Sequence, residues 1–430
     1  MNNRSLIALC DVNNFYVSCE RVFNSRLVGK PVIVLSNNDG CAIARSDEAK
    51  QLGIEMGTPF FQLKDLIKQY DIQVLSSNYA LYGDMSERVQ QIIRQYTDSF
   101  ENYSIDESFF RLPDNDVVAI EQSARLIDQI QTWLGLPVCI GIAPTKTLAK
   151  LANRYAKKQK LPSKLHLLSR PEATDALLEK TDVGHIWGIG RRMKAHMHAM
   201  GLYSALDLKN ASPKQLRDRF SVVVERTGRE LAGTECIDFE EMPPKKKQLI
   251  CSRSFGSRLS DFETISNALA YHITRGCVSL RKQDSHAQSI KVLLESGSFS
   301  DDGGIRRYSI GIQLAEPSCN TADFIKAGML GLRKIFKPDT PYRKTGVCFL
   351  DLTDQAERQV SLFEPAPGVG EEPADYNSEG LMQALDAVNQ RFGKNTLKFA
   401  REGTHAGWTM QSNYKTHAYT TRWDDLLRVQ

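Results

Sequence analysis

The sequence predicts an α/β protein of several domains, and three observations lead there. At 430 residues the chain is too long for one core, and about three domains is the ordinary expectation. Short apolar runs alternate with amphipathic stretches to about residue 165. Beyond that point the character changes twice, first to a helical, polar stretch over residues 166–236 and then to a basic one over 245–355.

The elements follow in order. "SLIALCDV" is an apolar run ending in an acid and reads as a buried strand. "KPVIVLS", Lys30 to Ser36, is another, too short and too β-branched for a buried helix. "SNNDGCAIARS" is dense in turn residues. "SDEAKQLGI" reads as a short helix capped by Ser46 and ended by Gly53. In "IEQSARLIDQIQTWLG", Ile120, Ala124, Ile127, Ile130 and Leu134 form one apolar stripe. "LPVCIGIA" is a buried strand. The helical "PTKTLAKLANRYAKKQ" carries Leu148, Leu151, Ala152 and Tyr155 on its apolar side. Lys146 and Lys150, four apart, share another side, and Lys146 and Lys158 are expected on a solvated face. This alternation predicts a mixed sheet with helices on one side.

"EEMPPKKKQ", Glu240 to Gln248, is a linker by composition. Residues 245–355 hold 17 Lys/Arg against 11 Asp/Glu, a larger excess than the +4 of the whole chain, so the basic charge is concentrated there. "EPAPGVGEEPADYNSEG", Glu364 to Gly380, is rich in Pro, Gly and acids. A short C-terminal piece follows, and no internal repeat is visible. Nine scattered cysteines without a CxxC pair read as reduced thiols. The N-terminus lacks a signal-peptide core, and no apolar run reaches the roughly 18 residues of a membrane helix. A cytoplasmic protein is expected.

"YSIDESFFRL", Tyr103 to Leu112, reads as strand, yet Asp106 and Glu107 sit in its middle. Neighbouring strand residues face opposite sides, so both acids can serve one site only at a turn. "NYSI" and "SFFRL" then form a hairpin with the acids at its tip. The first strand ends in Asp11, and if the strands pair, three carboxylates converge. Three packed carboxylates repel, and a hard divalent cation such as magnesium relieves them. Two such ions clamp an in-line phosphoryl transfer. Taken alone, an Asp-Glu pair at a turn is more often solvated turn chemistry, so the rest of the chain must decide.

"DVNNFYVSCE", "YSIDESFF", "GIAPTKTLAKLAN" and "IWGIGRR" resemble the Y-family, translesion DNA polymerases. "SNNDGCAIARSDEAK", "SSNYALYGDMS", "ICSRSFG" and "YTTRWDDLLRV" are similar to the UmuC-like branch, and the resemblance spans nearly the whole chain. It implies a right hand: a ferredoxin-like palm over 1–15 and 80–165, small fingers over 16–79, a helical helix–hairpin–helix thumb over 166–240, an α/β little finger over 245–355, and a clamp-binding motif with a C-terminal extension over 356–430. It implies that Asp11, Asp106 and Glu107, with the Val12 carbonyl, bind two Mg2+ ions, and that deoxynucleoside triphosphates are the substrates. Many relatives carry a second acid where Asn13 stands here. Tyr16 matches the steric gate against the ribose 2′-hydroxyl, a discrimination by exclusion, with Phe15 beside it. Lys50 and Lys157 match contacts to the triphosphate, and Tyr79 and Tyr82 are read as packing near the palm.

Gly188 and Gly190, followed by Arg191 and Arg192, match a hairpin whose N–H groups meet a DNA phosphate. Arg253 and Arg258 match phosphate contacts of the little finger. "QVSLF", that is Gln359, Val360, Ser361, Leu362 and Phe363, resembles the peptide that binds the sliding clamp. The UmuC-like branch implies error-prone synthesis in the SOS response, with primer–template DNA, a processed UmuD dimer (UmuD′) and a RecA filament as partners. Trp408, Tyr414, Tyr419 and Trp423 are apolar anchors in the extension. Two rivals stand beside this reading. A nucleotide cyclase shares the palm but needs no helix–hairpin–helix or clamp peptide. A DNA- and clamp-bound regulator that slows replication needs no intact acids. No GxxxxGK[ST] motif occurs, which disfavours a nucleotide-hydrolysing motor.

Overall fold

The computed structural model describes residues 5–240, 244–297, 304–354, 378–404, 408 and 410–426. The clamp-like peptide Gln359–Phe363 lies outside them. The chain divides into two compact units, Met1–Pro243 with Asn413–Gln430, and Pro244–Ser412.

In chain order the first unit runs β1 (Leu6–Val12), α1 (Phe15–Phe23), β2 (Val32–Leu35), β3 (Ala42–Arg45), α2 (Asp47–Gln51), α3 (Lys64–Tyr70), β4 (Gln73–Ser76) and α4 (Tyr79–Ile93). It continues through β5 (Phe100–Asn102), β6 (Glu107–Leu112), α5 (Asp116–Leu134), β7 (Val138–Ala143), α6 (Lys146–Lys158) and β8 (Leu165–Leu167). Five helices close it: α7 (Pro171–Glu179), α8 (Arg191–Ala199), α9 (Ala205–Asn210), α10 (Pro213–Arg219) and α11 (Val222–Leu231).

The main sheet has the order β5-β6-β1-β7-β8, with β1 antiparallel to both neighbours. Helices cover both of its faces, not one. Leu6, Ala8, Cys10 and Val12 of β1 pack with α1, α4 and α5, while Ile7 and Leu9 pack with α6 and the helices after it. The cause lies in β1 and β7, which are apolar at successive positions and so bury both sides. Helix α5 also differs from expectation. Its buried side is Ala119, Ser123, Leu126, Ile127 and Ile130, and Ile120 is exposed, so the buried stripe is rotated from the expected one at the start of the helix. Helix α2 forms as predicted, with Ser46 Oγ accepting from Ala49 N and Gly53 at positive φ. The stretch after residue 166 is helical, but it is not polar throughout: Leu178, Met197, Leu208, Leu216 and Val224 are buried. A second small sheet, β3-β2-β4, has its own core around Ile33, Leu35, Leu63 and Ile72.

Helix α6 lies hard against β7. A Cβ on Gly141 would sit 2.2 Å from both Ala149 O and Asn153 N, so only glycine lets the helix backbone come this close. Asn153 Nδ2 then donates to Cys139 O at 2.7 Å and to Leu9 O at 3.3 Å. Lys146 overturns its expected solvation: it is 1 % exposed and pairs with buried Glu101. Its Nζ also donates to Asp238 O and lies 4.6 Å from the Phe239 ring centroid.

The second unit is a four-stranded antiparallel sheet, order β11-β10-β12-β9, backed by two helices. The strands are β9 (Leu249–Leu259), β10 (Ser285–Ser296), β11 (Arg306–Ser318) and β12 (Tyr342–Asp354); the helices are α12 (Phe262–Lys282) and α13 (Thr321–Ile335). Helix α14 (Ser378–Phe392) docks on it through a two-pronged Arg281–Asp386 pair, and Trp408 packs on Tyr271. No helix among the described residues is long and apolar enough to cross a membrane.

Two stability outcomes follow. Lys146→Met leaves Glu101 charged and buried, and should cost about 3–5 kcal/mol, read as a lowered urea midpoint; adding Glu101→Gln should recover part of the loss. Gly141→Ala should cost roughly 1–3 kcal/mol, because the atoms it meets are backbone that cannot swing aside.

Candidate active site

Strand register builds the site. Asp11 and Glu107 are paired residues of β1 and β6, and Val12 N donates to Asp106 O at 3.0 Å. The β5–β6 hairpin forms, but not with both acids at its tip: the first arm ends at Asn102, Tyr103–Asp106 make the turn, and Glu107 is already the first residue of the second arm, where it pairs with Asp11. Ser104 locks that turn: its Oγ donates to Asp106 Oδ1 at 2.7 Å and accepts from the amides of Asp106 and Glu107. The three acids are thus gathered at adjoining strand ends.

Each carboxylate has a partner. Lys157 Nζ pairs with Asp11, and Lys150 Nζ pairs with Glu107 at 2.8 Å. Burial pushes the Asp11 carboxyl up to about 6; the Lys157 charge and hydrogen bond pull it down, and Glu107 and Asp106 push it further up. Among the described residues no group of three His, Cys, Asp or Glu side chains is arranged as a metal-ligand cluster. The donor set itself is three carboxylates beside a strand-end carbonyl, all hard oxygens, which suits a hard divalent cation. Mutually repelling acids around a buried carboxylate are the condition that such an ion relieves.

Two residues after β1, helix α1 begins. Asn14, its N-cap, is in the left-handed region (φ 49°) and does not cap the helix with its side chain. The Asn14 amide instead donates to Asp47 Oδ1 at 3.0 Å, and its oxygen accepts from Lys50 Nζ. The first-turn N–H groups therefore lack a side-chain cap, and Lys50 sits beside them. Phe15 is buried in the core. Tyr16 is half-buried and stacks on Tyr82, ring centroids 4.3 Å apart at 13°, with Tyr79 against its edge at 6.2 Å.

A cleft of about 480 Å³ joins Asp11 and Glu107 to Lys150, Arg154, Lys157 and Trp187. Sequence reasoning passed over two of its features. Trp187 Nε1 donates to the Tyr103 hydroxyl at 3.0 Å, and Lys150 lies 4.2 Å from the Tyr103 ring centroid. The i, i+4 and i+11 spacing of Lys146, Lys150 and Lys157 was the available signal, but only the fold shows which acid each one meets.

Gly188 has φ +86° and Gly190 caps α8, whose first residues, Arg191 and Arg192, are exposed. A single 3-10 turn, Val183–His185, precedes the glycines, and α8 and α9 follow them. Arg253 and Arg258 lie on β9 with exposed side chains.

Lys157 competes with any cation for Asp11. Lys157→Met should therefore tighten divalent-cation binding at the carboxylates by roughly tenfold. Calorimetric titration with Mn2+ checks this, and weaker binding would show that the lysine does not compete.

The architecture and sequence both have known counterparts. The family model described as impB/mucB/samB matches residues 10–154, its C-terminal domain matches 246–362, and a domain of unknown function, DUF4113, matches 379–429. The chain is 40% identical to Protein UmuC of Salmonella typhimurium, covering 99% of this chain and 100% of that one. It is 39% identical to Protein ImpB of Salmonella typhimurium, covering 98% and 99%. It is 26% identical to DNA polymerase IV 2 of Bacillus subtilis, covering 95% and 97%. Among solved structures, a Y-family DNA polymerase chimera of Dbh and Dpo4 matches its fold with a TM-score of 0.65 at 18% identity, covering 81% of this chain and 99% of that one.

Proposed function

The chain belongs to the impB/mucB/samB family of UmuC-like Y-family translesion DNA polymerases, and from that membership we propose error-prone synthesis past damaged bases, by two-metal nucleotidyl transfer, in the SOS response. The observation that carries the chemistry is the β1–β6 register, which sets Asp11 beside Glu107 and Asp106 at one end of the sheet. Asp11, Asp106 and Glu107, with the Val12 carbonyl, would hold two Mg2+ ions. Bound there, the ions supply activation of the primer 3′-hydroxyl and charge neutralisation at the triphosphate.

The chain's own residues do the rest. Lys50 and the uncapped start of α1 bind the triphosphate, and Lys157 adds a second positive charge from α6. Tyr16, backed by Tyr82, excludes the ribose 2′-hydroxyl, while Phe15 anchors the helix that carries it. Gly188, Gly190, Arg191 and Arg192 hold duplex backbone in the thumb, as Arg253 and Arg258 do in the little finger, without reading sequence. The domain limits are those of the resemblance: palm 1–15 and 80–165, fingers 16–79, thumb 166–240, little finger 245–355. Gln359–Phe363 would bind the sliding clamp, and UmuD′ and RecA complete the working enzyme in the cytoplasm.

Primer extension on a template with one abasic site tests the proposal, using Mg2+ and four deoxynucleotides, with and without processed UmuD and RecA–ATP. Bypass is expected, and Asp106→Asn should reduce it at least about 10³-fold, as removal of an essential metal ligand does. Absence of extension under every condition, with DNA binding intact, would leave a DNA-bound regulator.

A further inference from the structure

The residues behind Tyr16 are joined to the far end of the chain. Tyr82, fully buried, donates its hydroxyl to Glu20 Oε1 at 2.7 Å. Thr416 donates to the same oxygen at 3.2 Å. Asn78, the residue before α4, donates from Nδ2 to Thr416 Oγ1 at 3.1 Å and to His417 O at 3.0 Å. Glu20 is 1 % exposed, and these two hydroxyls are what its Oε1 accepts from among the described residues. The segment carrying Thr416 is fastened on both sides. Tyr414 exchanges two hydrogen bonds with Ser76, Asn413 N donates to Asp39 Oδ2 at 2.8 Å, and Tyr419 stacks on Phe23 at 4.9 Å and 7°.

We propose that the tail segment Asn413–Tyr419 is a positioning element of the sugar pocket, acting through Thr416, Glu20 and Tyr82 to hold the ring of Tyr16. The inference rests on the reading of Tyr16 as the sugar gate. A gate rejects a 2′-hydroxyl only if its ring cannot tilt away, and the face of Tyr16 is backed by Tyr82. Tyr82 is held from rotating out of its stack by one buried hydrogen bond to Glu20. Glu20 in turn is oriented by Thr416, because a buried carboxylate turns toward the donors it is given. Loss of the Thr416 hydroxyl leaves Glu20 free to swing, and Tyr82 and Tyr16 with it. Sugar selection thereby depends on a residue about four hundred positions downstream in the sequence.

The test measures kcat/KM for one ribonucleotide and its deoxynucleotide in the extension assay above, with the full-length chain. Thr416→Val removes the hydroxyl at nearly constant volume. It should raise the ribo/deoxy ratio about 5- to 10-fold, the loss of one buried hydrogen bond. Thr416→Ser should restore the native ratio, and Tyr82→Phe should reproduce the Thr416→Val ratio without adding to it in the double variant. Tyr16→Ala is the control. If it leaves the ratio unchanged, the gate reading fails. If it raises the ratio and Thr416→Val does not, the tail proposal is overturned. An equal loss for both sugars that Thr416→Ser does not rescue also overturns it, since that is mere destabilisation. Hydrogen–deuterium exchange of Thr416→Val gives an arm independent of turnover. Faster exchange over residues 15–23 and 79–86 is expected, and unchanged exchange there would refute the coupling.

Discussion

The close approach of α6 to the sheet at Gly141 is the constraint on which the site depends. Asn153 fixes the helix to the carbonyls of Leu9 and Cys139, on β1 and β7, so rotation and height are both set. From that position the helix delivers three lysines to three different acids: Lys146 to Glu101, Lys150 to Glu107 and Lys157 to Asp11. A side chain larger than hydrogen at Gly141 would lift the helix and shift all three together. Backbone geometry therefore does electrostatic work here, since a distance between helix and strand decides which charges are paired.

The pairing explains how a cluster of acids survives at the end of a buried strand. Asp11 belongs to β1, whose other residues are apolar, and burial favours its neutral form. Lys157 opposes that shift and keeps a carboxylate available in a place where water alone would not. The acids are thus stored against lysines that also face the cleft where a triphosphate is proposed to lie. Charge balance is kept locally, with side chains long enough to exchange partners.

Much of this was legible in the sequence, and the reasons are local. An acid ending an apolar run, and an Asp-Glu pair interrupting an aromatic one, betray themselves because strand alternation forbids them elsewhere. Ser46 before "DEAK" announces a helix start for the same reason. What stayed hidden depends on partners distant in the chain. Lys146 reads as solvated because Glu101 lies 45 residues earlier and nothing nearby announces the pair. The second covered face of the sheet is written in the unbroken apolar runs of β1 and β7, whereas the alternation of strands and helices by itself points to a one-sided arrangement. Of the four aromatic anchors expected in the extension, Trp408, Tyr414 and Tyr419 pack on other rings, while Trp423 is 89 % exposed. The bond from Asn78 to Thr416 spans 338 residues, beyond the reach of any periodicity.

The tail also changes how the first unit is covalently assembled. The chain leaves that unit at Pro243 and returns to it at Asn413, so residues 244–412 form an insertion tied at both ends. Docking of the tail is then ring closure, and its entropic cost grows only with the logarithm of loop length, roughly 0.6 kcal/mol per doubling. The tail acts as a tethered ligand with an effective concentration set by its own chain. Its occupancy on Asp39, Ser76 and Asn78 is the same in a dilute cell extract as in a concentrated stock. A competitor for that surface must exceed a local concentration that dilution never lowers.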